Sequence, residues 1–274
     1  MSRIACSCVK KPDVLLYKTG EGSVEWIMEK IKAVVLAAGM GTRLQTEGDD
    51  APKVMRTVCD KPLLWYVLNA LSFIEKKDII IVVGYKKNDV IEYFGGYTFS
   101  EQTKQNGTGD AVKAAAPELQ GFCGAVLVCY GDMPAVRRET YETLIHAHFE
   151  QDNDCTILTG EAATALPYGR IIRDQNGGFL QVVEDRDCTP AQKKIKELNS
   201  GVYVFRTPML LKALGKMKCE NSQGEYYLTD VPAIMRDSGA KVGIVKRDLG
   251  DEILGVNTPE QLAQIGEIIQ MRNK

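Results

Sequence analysis

Short, continuous runs of apolar residues alternate with helical patterns through the first half of the chain. Three runs, KAVVLAAG (32–39), DIIIVVG (78–84) and GAVLVCYGD (124–132), are typical of strands that are buried on both faces of a sheet. Helical patterns lie between them at 63–74, 89–94 and 109–116. Because strands that alternate with helices form right-handed βαβ crossovers, the pattern predicts an α/β protein whose mostly parallel sheet is flanked by helices.

After residue 150 the pattern changes to strand-like segments that are joined by turns. The segments at 154–162, 196–206 and 241–246 are strand-like. The stretch 169–185 predicts a hairpin that turns at Asn176–Gly178. Helical patterns follow at 207–217, 228–237 and 258–272, the last with Thr258 as its N-cap and Pro259 in its first position.

The first 31 residues do not join this alternation, and we interpret them as an N-terminal extension whose role the sequence does not indicate. Residues 13–17 predict a short strand, and residues 23–32 predict a helix that Ser23 caps. The opening MSRIACSCVKKPD places its lysines after a weakly apolar stretch, which is the wrong order for a secretory signal. No apolar run approaches the roughly 18 residues of a membrane-spanning helix. We therefore expect a soluble, cytoplasmic protein that has no membrane partner.

Charge and reactive residues exclude several classes of function. The formal net charge of -2 argues against a broadly basic nucleic-acid-binding protein. The eight cysteines lack the paired spacing of a zinc site, so we expect reduced and mostly buried thiols. The two histidines, His146 and His148, are expected on a helix surface, where they point in different directions. This arrangement argues against hydrolysis that depends on histidine.

A glycine-rich loop, LAAGMGTR (36–43), directly follows the first buried strand. Loops at the carboxyl edge of a parallel sheet are where open α/β proteins bind ligands. Gly39 and Gly41 allow the backbone to approach a phosphate group closely, and Arg43 adds a planar set of donors for phosphate oxygens. Ten residues further on, Lys53 follows Pro52 and can return to the same phosphates. The pair of signals predicts a phosphate-binding site.

Further motifs follow in order along the chain. They are QTKQNGTGDA (102–111), YGD (130–132), YGRI (168–171), VVED (182–185), ELNSGVY (197–203), QGEYYLTD (223–230) and GVNTPEQL (255–262). With LAAGMGTR and PKV, this set resembles the sugar-nucleotidyltransferase family. The resemblance is strongest to the N-terminal uridylyltransferase domain of the bifunctional enzyme that makes UDP-N-acetylglucosamine, an envelope precursor in bacteria. It implies a Rossmann-like nucleotide-diphospho-sugar transferase fold.

The resemblance also implies an activity and a role for each matching residue. The implied enzyme transfers UMP from UTP to N-acetylglucosamine 1-phosphate and releases pyrophosphate. Arg43 and Lys53 are the implied catalytic residues, and Asp132 and Asn257 are the implied ligands of Mg²⁺. The implied nucleotide-binding residues are Leu36, Ala37, Ala38, Gly39, Gly41, Gln102, Gln105, Gly107 and Thr108. The implied sugar-binding residues are Tyr130, Gly131, Gly169, Glu184, Asn199, Tyr227 and Thr229.

On this basis residues 32–274 form a nucleotidyltransferase domain, with a nucleotide-binding half at about 32–150 and a sugar-binding half at about 151–274. The hexapeptide repeats of an acetyltransferase β-helix are absent, so we expect neither that activity nor the trimer interface that the β-helix provides. The oligomeric state is not predicted. Two departures from the family pattern are Met40, where a basic residue is frequent, and Asp110, where the bifunctional enzymes commonly carry histidine.

Two alternatives remain open at the level of sequence. The same chemistry could act on another sugar phosphate, or on phosphocholine with CTP. A catalytically silent subunit that binds a nucleotide sugar and regulates a partner is the alternative from a different class. The presence of Arg43, Lys53, Asp132 and Asn257 argues against the silent subunit, which would not need phosphate and metal ligands.

Overall fold

A computed structural model of the chain describes residues 17–18, 24–25, 31–44, 50–161 and 166–272. Two short strand pairs lie outside the main sheet: β1 (Tyr17–Lys18) with β2 (Val24–Glu25), and β4 (Thr57–Val58) with β5 (Lys61–Pro62). Within the described residues, a nine-stranded sheet forms the centre of the molecule. Its strands are β3 (Ile31–Ala37), β6 (Ile79–Val83), β7 (Thr98–Glu101), β8 (Ala125–Tyr130), β9 (Cys155–Glu161), β10 (Arg170–Arg173), β11 (Phe179–Val183), β12 (Glu197–Arg206) and β13 (Val242–Arg247).

The first half of the chain supplies the parallel part of this sheet. Strands β8, β3, β6 and β7 lie side by side in that order, and all three pairs are parallel. The second half adds a mixed part, in which β12 runs antiparallel to β8, β9 and β10, and β13 runs parallel to β9. Since β3 and β8 are parallel neighbours, the loops that follow them meet at one edge of the sheet.

Helices cover both faces of the sheet, and the strand residues alternate between two cores. Ala33 and Val35 of β3 pack in one core, whereas Val34 and Leu36 pack in the other. All four are buried, as expected for a strand without a solvent-facing side. The helices are α1 (Leu63–Ala70), α2 (Lys87–Tyr93), α3 (Thr108–Ala114), α4 (Ala116–Leu119), α5 (Arg138–Glu150), α6 (Thr207–Leu214), α7 (Val231–Asp237) and α8 (Pro259–Arg272). The predicted α/β fold is confirmed.

The structure contradicts one of the two predictions for the N-terminal segment. The helix expected over 23–32 is wrong, because Val24–Glu25 is a strand and β3 already begins at Ile31. Of the strand expected at 13–17, only Tyr17 lies within the described residues, and there it begins β1. The remaining residues of both predictions lie outside the described part of the chain. No helix in the described residues is both long and apolar enough to cross a membrane.

The expectations for cysteine and histidine also need correction. All six cysteines in the described residues are free thiols, but Cys59, Cys123 and Cys219 are exposed, so the thiols are not mostly buried. His148 does not lie on a helix surface: it is 2% exposed, and its Nδ1 lies 3.0 Å from Thr156 Oγ1. Helix α5 packs against β9 at this point, and a neutral imidazole that bonds to a hydroxyl is compatible with the interior.

His148 should make the fold sensitive to mild acid. Burial lowers its pKa to about 4, because the interior disfavours the charged imidazolium. The unfolded chain protonates near the ordinary pKa of about 6.5 while the folded chain does not, so this contribution to stability is complete above that pH and is lost as pH falls toward the folded-state pKa. At pH 5 the loss is about 2 kcal/mol, at 1.36 kcal/mol for each pH unit.

Chemical denaturation at pH 7.5 and pH 5 measures this effect. The free energy of unfolding should fall by about 2 kcal/mol more in the wild type than in His148→Gln. His146→Gln, a change on the same helix, should keep the pH dependence of the wild type. Equal pH dependence in the wild type and His148→Gln would show that the buried imidazole does not carry the effect.

Candidate active site

The loops after β3 and β8 lie side by side at the carboxyl edge of the sheet. The Gly131 N–H donates a hydrogen bond to the Leu36 carbonyl oxygen (2.9 Å), which places the end of β8 directly beside the end of β3. Asp132, the next residue, therefore lies next to the glycine-rich loop. The sheet order alone brings together two motifs that are almost a hundred residues apart in the chain.

Four polar residues from separate segments converge here, and we call them the lysine cluster: Arg43, Lys53, Asp132 and Asn257. The Lys53 ammonium forms an ion pair with Asp132 Oδ2 and donates a hydrogen bond to Asn257 Oδ1 (2.8 Å). Arg43 Nη2 donates to the same amide oxygen (3.1 Å). The Lys53 and Asp132 side chains are only 15% and 19% exposed. The structure thus brings together all four residues that the sequence singled out for catalysis and metal binding.

Gly41 explains how the loop passes so close to Lys53. Its φ is +67°, a backbone conformation that residues with a Cβ rarely adopt. A Cβ at this position would also lie only 2.6 Å from the Cβ of Lys53. Gly39 differs, since a Cβ there would meet no heavy atom within 4 Å. The loop is therefore packed tightly on its Lys53 side and is open at Gly39.

Asn257 is held in place by the start of α8 and by a tyrosine. The Val256 N–H donates to the Asp132 carbonyl oxygen (3.0 Å), which ties the two predicted metal ligands together through the backbone. The Asn257 N–H donates to Gln261 Oε1 (2.7 Å), and the Gly255 N–H donates to the Tyr168 hydroxyl (2.9 Å). Sequence reasoning missed Tyr168 as a supporting residue, although it lies in the quoted YGRI motif.

A cleft of about 220 Å³ opens beside Gln102 and Gln105, and we call it the glutamine cleft. Six of the nine predicted nucleotide-binding residues line it, together with Tyr130, which was predicted to bind the sugar. Ala37 does not line it, because its side chain is buried in the core on the opposite face of β3. The lining residues are Leu36, Ala38, Gln102, Gln105, Gly107, Thr108, Ala111, Tyr130 and Glu225.

The two glutamines are fixed by hydrogen bonds from their amide nitrogens. Gln102 Nε2 donates to the Gly107 carbonyl oxygen and to Asp110 Oδ2, both at 3.0 Å. Gln105 Nε2 donates to the Ala38 carbonyl oxygen (2.9 Å) and so connects this wall to the glycine-rich loop. Gly107 begins the turn into α3 with a φ of +105°, and a Cβ there would lie 2.5 Å from the Tyr226 carbonyl oxygen.

Five of the seven predicted sugar-binding residues form what we call the far wall: Gly169, Glu184, Asn199, Tyr227 and Thr229. Thr229 donates its hydroxyl proton to Glu184 Oε1 (2.8 Å), and burial raises the pKa of the Glu184 carboxyl group. The Asn199 N–H donates to the Gly169 carbonyl oxygen (2.8 Å). Tyr227 is buried and accepts a hydrogen bond from Gln223.

Tyr130 lies between this wall and the lysine cluster. Burial raises the pKa of its phenol above the ordinary range, and the nearby carboxylates of Glu184 and Asp132 act in the same direction. A Cβ on Gly201 would lie 2.4 Å from the Tyr130 ring, so this glycine allows β12 to pass close to the ring. Tyr130 therefore lines the glutamine cleft and lies close to both Glu184 of the far wall and Asp132 of the lysine cluster.

The model of the MobA-like NTP transferase domain family matches residues 33–222, which is more than half of the chain. The chain belongs to this family. The predicted enzyme class, a nucleotidyltransferase, is thereby confirmed at the level of the family. The resemblance of the motifs to sugar-nucleotidyltransferases is confirmed as well, because relatives with substantial identity are proteins named bifunctional protein GlmU.

Three such GlmU relatives show the extent of the similarity. The Lactobacillus gasseri protein is 42% identical over 87% of this chain and 51% of its own length. The Lactobacillus delbrueckii subsp. bulgaricus protein is 43% identical over 89% of this chain and 52% of its own length. The Streptococcus gordonii protein is 40% identical over 88% of this chain and 52% of its own length. This NTP transferase chain therefore spans about half the length of the curated relatives that it matches.

A solved structure supports the fold. The Bacillus anthracis protein assigned as a glucose-1-phosphate thymidylyltransferase, solved in complex with a sucrose, superposes with a TM-score of 0.67. The match covers 87% of this chain and 94% of the other chain, at 17% sequence identity. At that identity the likeness shows a shared architecture.

Proposed function

We propose that this NTP transferase domain transfers UMP from UTP to N-acetylglucosamine 1-phosphate, giving UDP-N-acetylglucosamine and pyrophosphate. The convergence of the lysine cluster at one end of a cleft carries the proposal. Two cationic side chains, a carboxylate and an amide oxygen meet there, and walls suited to a base and to a sugar extend from it. The family membership and the GlmU relatives support the same reaction class.

Asp132 and Asn257 fit a magnesium ion by their chemistry. Both offer hard oxygen atoms, and both oxygens already converge on one cationic group, the Lys53 ammonium. Mg²⁺ is commonly bound by one or two protein oxygens together with substrate phosphates and water. No group of three or more His, Cys, Asp or Glu side chains suited to a metal occurs in the described residues. A bound Mg²⁺ would neutralise phosphate charge.

Arg43 and Lys53 would bind the triphosphate and hold its α-phosphorus for attack. An oxygen of the sugar phosphate forms a bond to the α-phosphorus, the bond to the β-phosphate oxygen breaks, and pyrophosphate leaves. The protein contributes mainly position and charge neutralisation, because two polyanions must approach each other. The proposal requires no nucleophilic side chain and no covalent intermediate.

The far wall would recognise the sugar through its hydroxyl and acetamide groups. Glu184 is a hydrogen-bond acceptor when ionised, and Thr229 already donates to one of its oxygens. Asn199 lies on β12 and is hydrogen-bonded to the backbone of Gly169, the residue before β10. Sites that form hydrogen bonds with substrate hydroxyls discriminate strongly, because an incorrect substrate leaves buried polar groups without partners.

Glu184→Gln should weaken binding of the sugar phosphate and leave UTP largely unaffected. The KM for N-acetylglucosamine 1-phosphate should rise about tenfold, the value for loss of one charged hydrogen bond. The raised pKa predicts that the wild-type KM for the sugar phosphate rises as pH falls, since Glu184 takes up a proton at a higher pH than an ordinary glutamate. The Gln variant should lose the part of this dependence that Glu184 contributes, while the part that comes from the substrate phosphate remains.

Steady-state kinetics between pH 5 and pH 8 test this prediction, with Glu150→Gln as the control. Glu150 is an exposed carboxylate at the end of α5, and its substitution should leave both KM values unchanged. If the Gln variant has the KM of the wild type for the sugar phosphate, Glu184 does not contribute to the sugar site.

The proposed function is tested by pyrophosphate release from the purified protein with Mg²⁺ and a panel of nucleotides and sugar phosphates. Release with UTP and N-acetylglucosamine 1-phosphate alone is the expected result. Release with another pair would retain the reaction and change the substrate. Absence of release with every pair, while UTP or UDP-N-acetylglucosamine still binds, would support a silent regulatory subunit.

A further inference from the structure

The orientation of the Gln102 amide is determined by its two partners. Its nitrogen donates to the Gly107 carbonyl oxygen and to Asp110 Oδ2, at 3.0 Å each. A backbone carbonyl and a carboxylate can only accept, so the amide atom that faces them must be nitrogen. A primary amide has two N–H groups, and both are used by these two bonds. The amide cannot rotate by half a turn without placing its oxygen against two acceptors.

The amide oxygen of Gln102 is left on the opposite side, toward the glutamine cleft. No described residue donates a hydrogen bond to this oxygen. Several buried side-chain atoms of the described residues lack a partner, and this oxygen is not one of them. It therefore remains accessible. Gln102 itself lines the cleft. The side chain therefore presents a hydrogen-bond acceptor to a ligand, and it has no remaining donor to offer.

We propose that Asp110 is a positioning residue that fixes Gln102 with its oxygen toward the cleft, so that the cleft selects a base whose edge donates an N–H. This inference rests on the proposed function, in which the cleft holds the base of the nucleotide. Uracil has an N–H at its N3 position, which an amide oxygen can accept. Cytosine has an unprotonated acceptor at the same position, so two acceptors would face each other there. An unpaired polar contact of this kind reduces binding strongly.

Of the two acceptors that face the Gln102 amide, Asp110 contributes more to its orientation than the neutral Gly107 carbonyl oxygen does. A hydrogen bond to an ionised carboxylate is roughly twice as strong as one between neutral groups. Asp110 lies in the first turn of α3 and does not line the cleft, so it acts through Gln102 and not on the ligand. An asparagine at position 110 can turn its own N–H toward Gln102, so that only the Gly107 carbonyl oxygen still opposes the other amide orientation.

Calorimetric binding of UTP, CTP and 5-methyluridine triphosphate to the protein without sugar phosphate tests the inference. In Asp110→Asn the preference for UTP over CTP should fall about tenfold. The ratio of UTP to 5-methyluridine triphosphate should not change, because both bases carry the same N3–H. Asp110→Glu keeps the carboxylate and should retain most of the wild-type preference. Glu118→Gln, an exposed change of carboxylate to amide on α4, is the matched control and should leave both ratios unchanged.

An unchanged ratio of UTP to CTP in Asp110→Asn would overturn the inference, as would a wild-type protein that prefers CTP. A fall in both nucleotide ratios would also overturn it, since that result indicates a general structural effect and not selection of the N–H edge. The binding ratios do not depend on turnover. Failure of the proposed reaction, seen as absent pyrophosphate release, is therefore distinguishable from failure of this inference.

Discussion

Asp132→Asn should release pyrophosphate roughly 10²–10³ times more slowly than the wild type, a loss comparable to removal of one essential electrostatic group. Asp132 is the one carboxylate in the lysine cluster, and its charge is matched by the Lys53 ammonium. The substitution keeps the shape of the side chain and removes its charge. A metal ion that needs this oxygen would bind more weakly, and the mostly buried Lys53 ammonium would lose its negatively charged partner and keep only Asn257.

The result is read from initial rates at saturating UTP and sugar phosphate, together with thermal unfolding of each variant. Asp50→Asn is the matched control, because Asp50 is an exposed carboxylate that pairs with Lys86 and lies outside the cluster. That variant should retain the wild-type rate. An Asp132→Asn enzyme that is folded and turns over within about threefold of the wild type would contradict the assignment of Asp132 to the reaction centre.

Lys53→Met should have the second large effect, again a loss of roughly 10²–10³-fold in kcat/KM for UTP. The ammonium is the cation that lies closest to both Asp132 and Asn257, and Gly41 packs directly against its stem. Methionine preserves much of the stem and removes the charge. The loss should therefore come from weaker stabilisation of the triphosphate and not from a rearranged loop.

The same variant should bind Mn²⁺ more tightly than the wild type when no nucleotide is present. With methionine at position 53, the oxygens of Asp132 and Asn257 no longer hold an ammonium, and only the hydrogen bond from Arg43 to Asn257 competes with a metal ion there. Electron paramagnetic resonance of free Mn²⁺ measures the affinity. Lys86→Met makes the same change of net charge outside the cluster and should have little effect. A Lys53→Met protein with full turnover and unchanged Mn²⁺ affinity would contradict the role of the cluster.

The strands that could be predicted from sequence are those that are buried on both sides. Strands β3, β6 and β8 are continuous apolar runs, and their short length and their valine and isoleucine residues favour a buried strand over a buried helix. By contrast, β7 reads TFSE, which has too few apolar residues to stand out, and it forms because β6 offers a parallel partner. The sequence predicts a helix where the structure has the short strand β2. Pairing with β1 determines the conformation there, and local helix propensity does not.

The residues of the candidate site could be predicted from the sequence, but their arrangement in space could not. The motifs located Lys53, Asp132 and Asn257, yet their meeting point depends on sheet order and on the start of α8. The contact of Gln102 with Asp110 and the support of Gly255 by Tyr168 depend on side-chain directions that a linear pattern does not contain. His148 shows the same limit, because its burial depends on where α5 packs and not on its neighbours in the chain.

Phosphorus NMR of the complete reaction shows whether this protein joins a nucleotide to a sugar phosphate. With UTP, N-acetylglucosamine 1-phosphate and Mg²⁺, the signals of both substrates should decline together. The diphosphate signals of UDP-N-acetylglucosamine and the signal of pyrophosphate should appear in equal amounts. An unchanged spectrum, or hydrolysis of UTP with the sugar phosphate left intact, would contradict the proposed reaction.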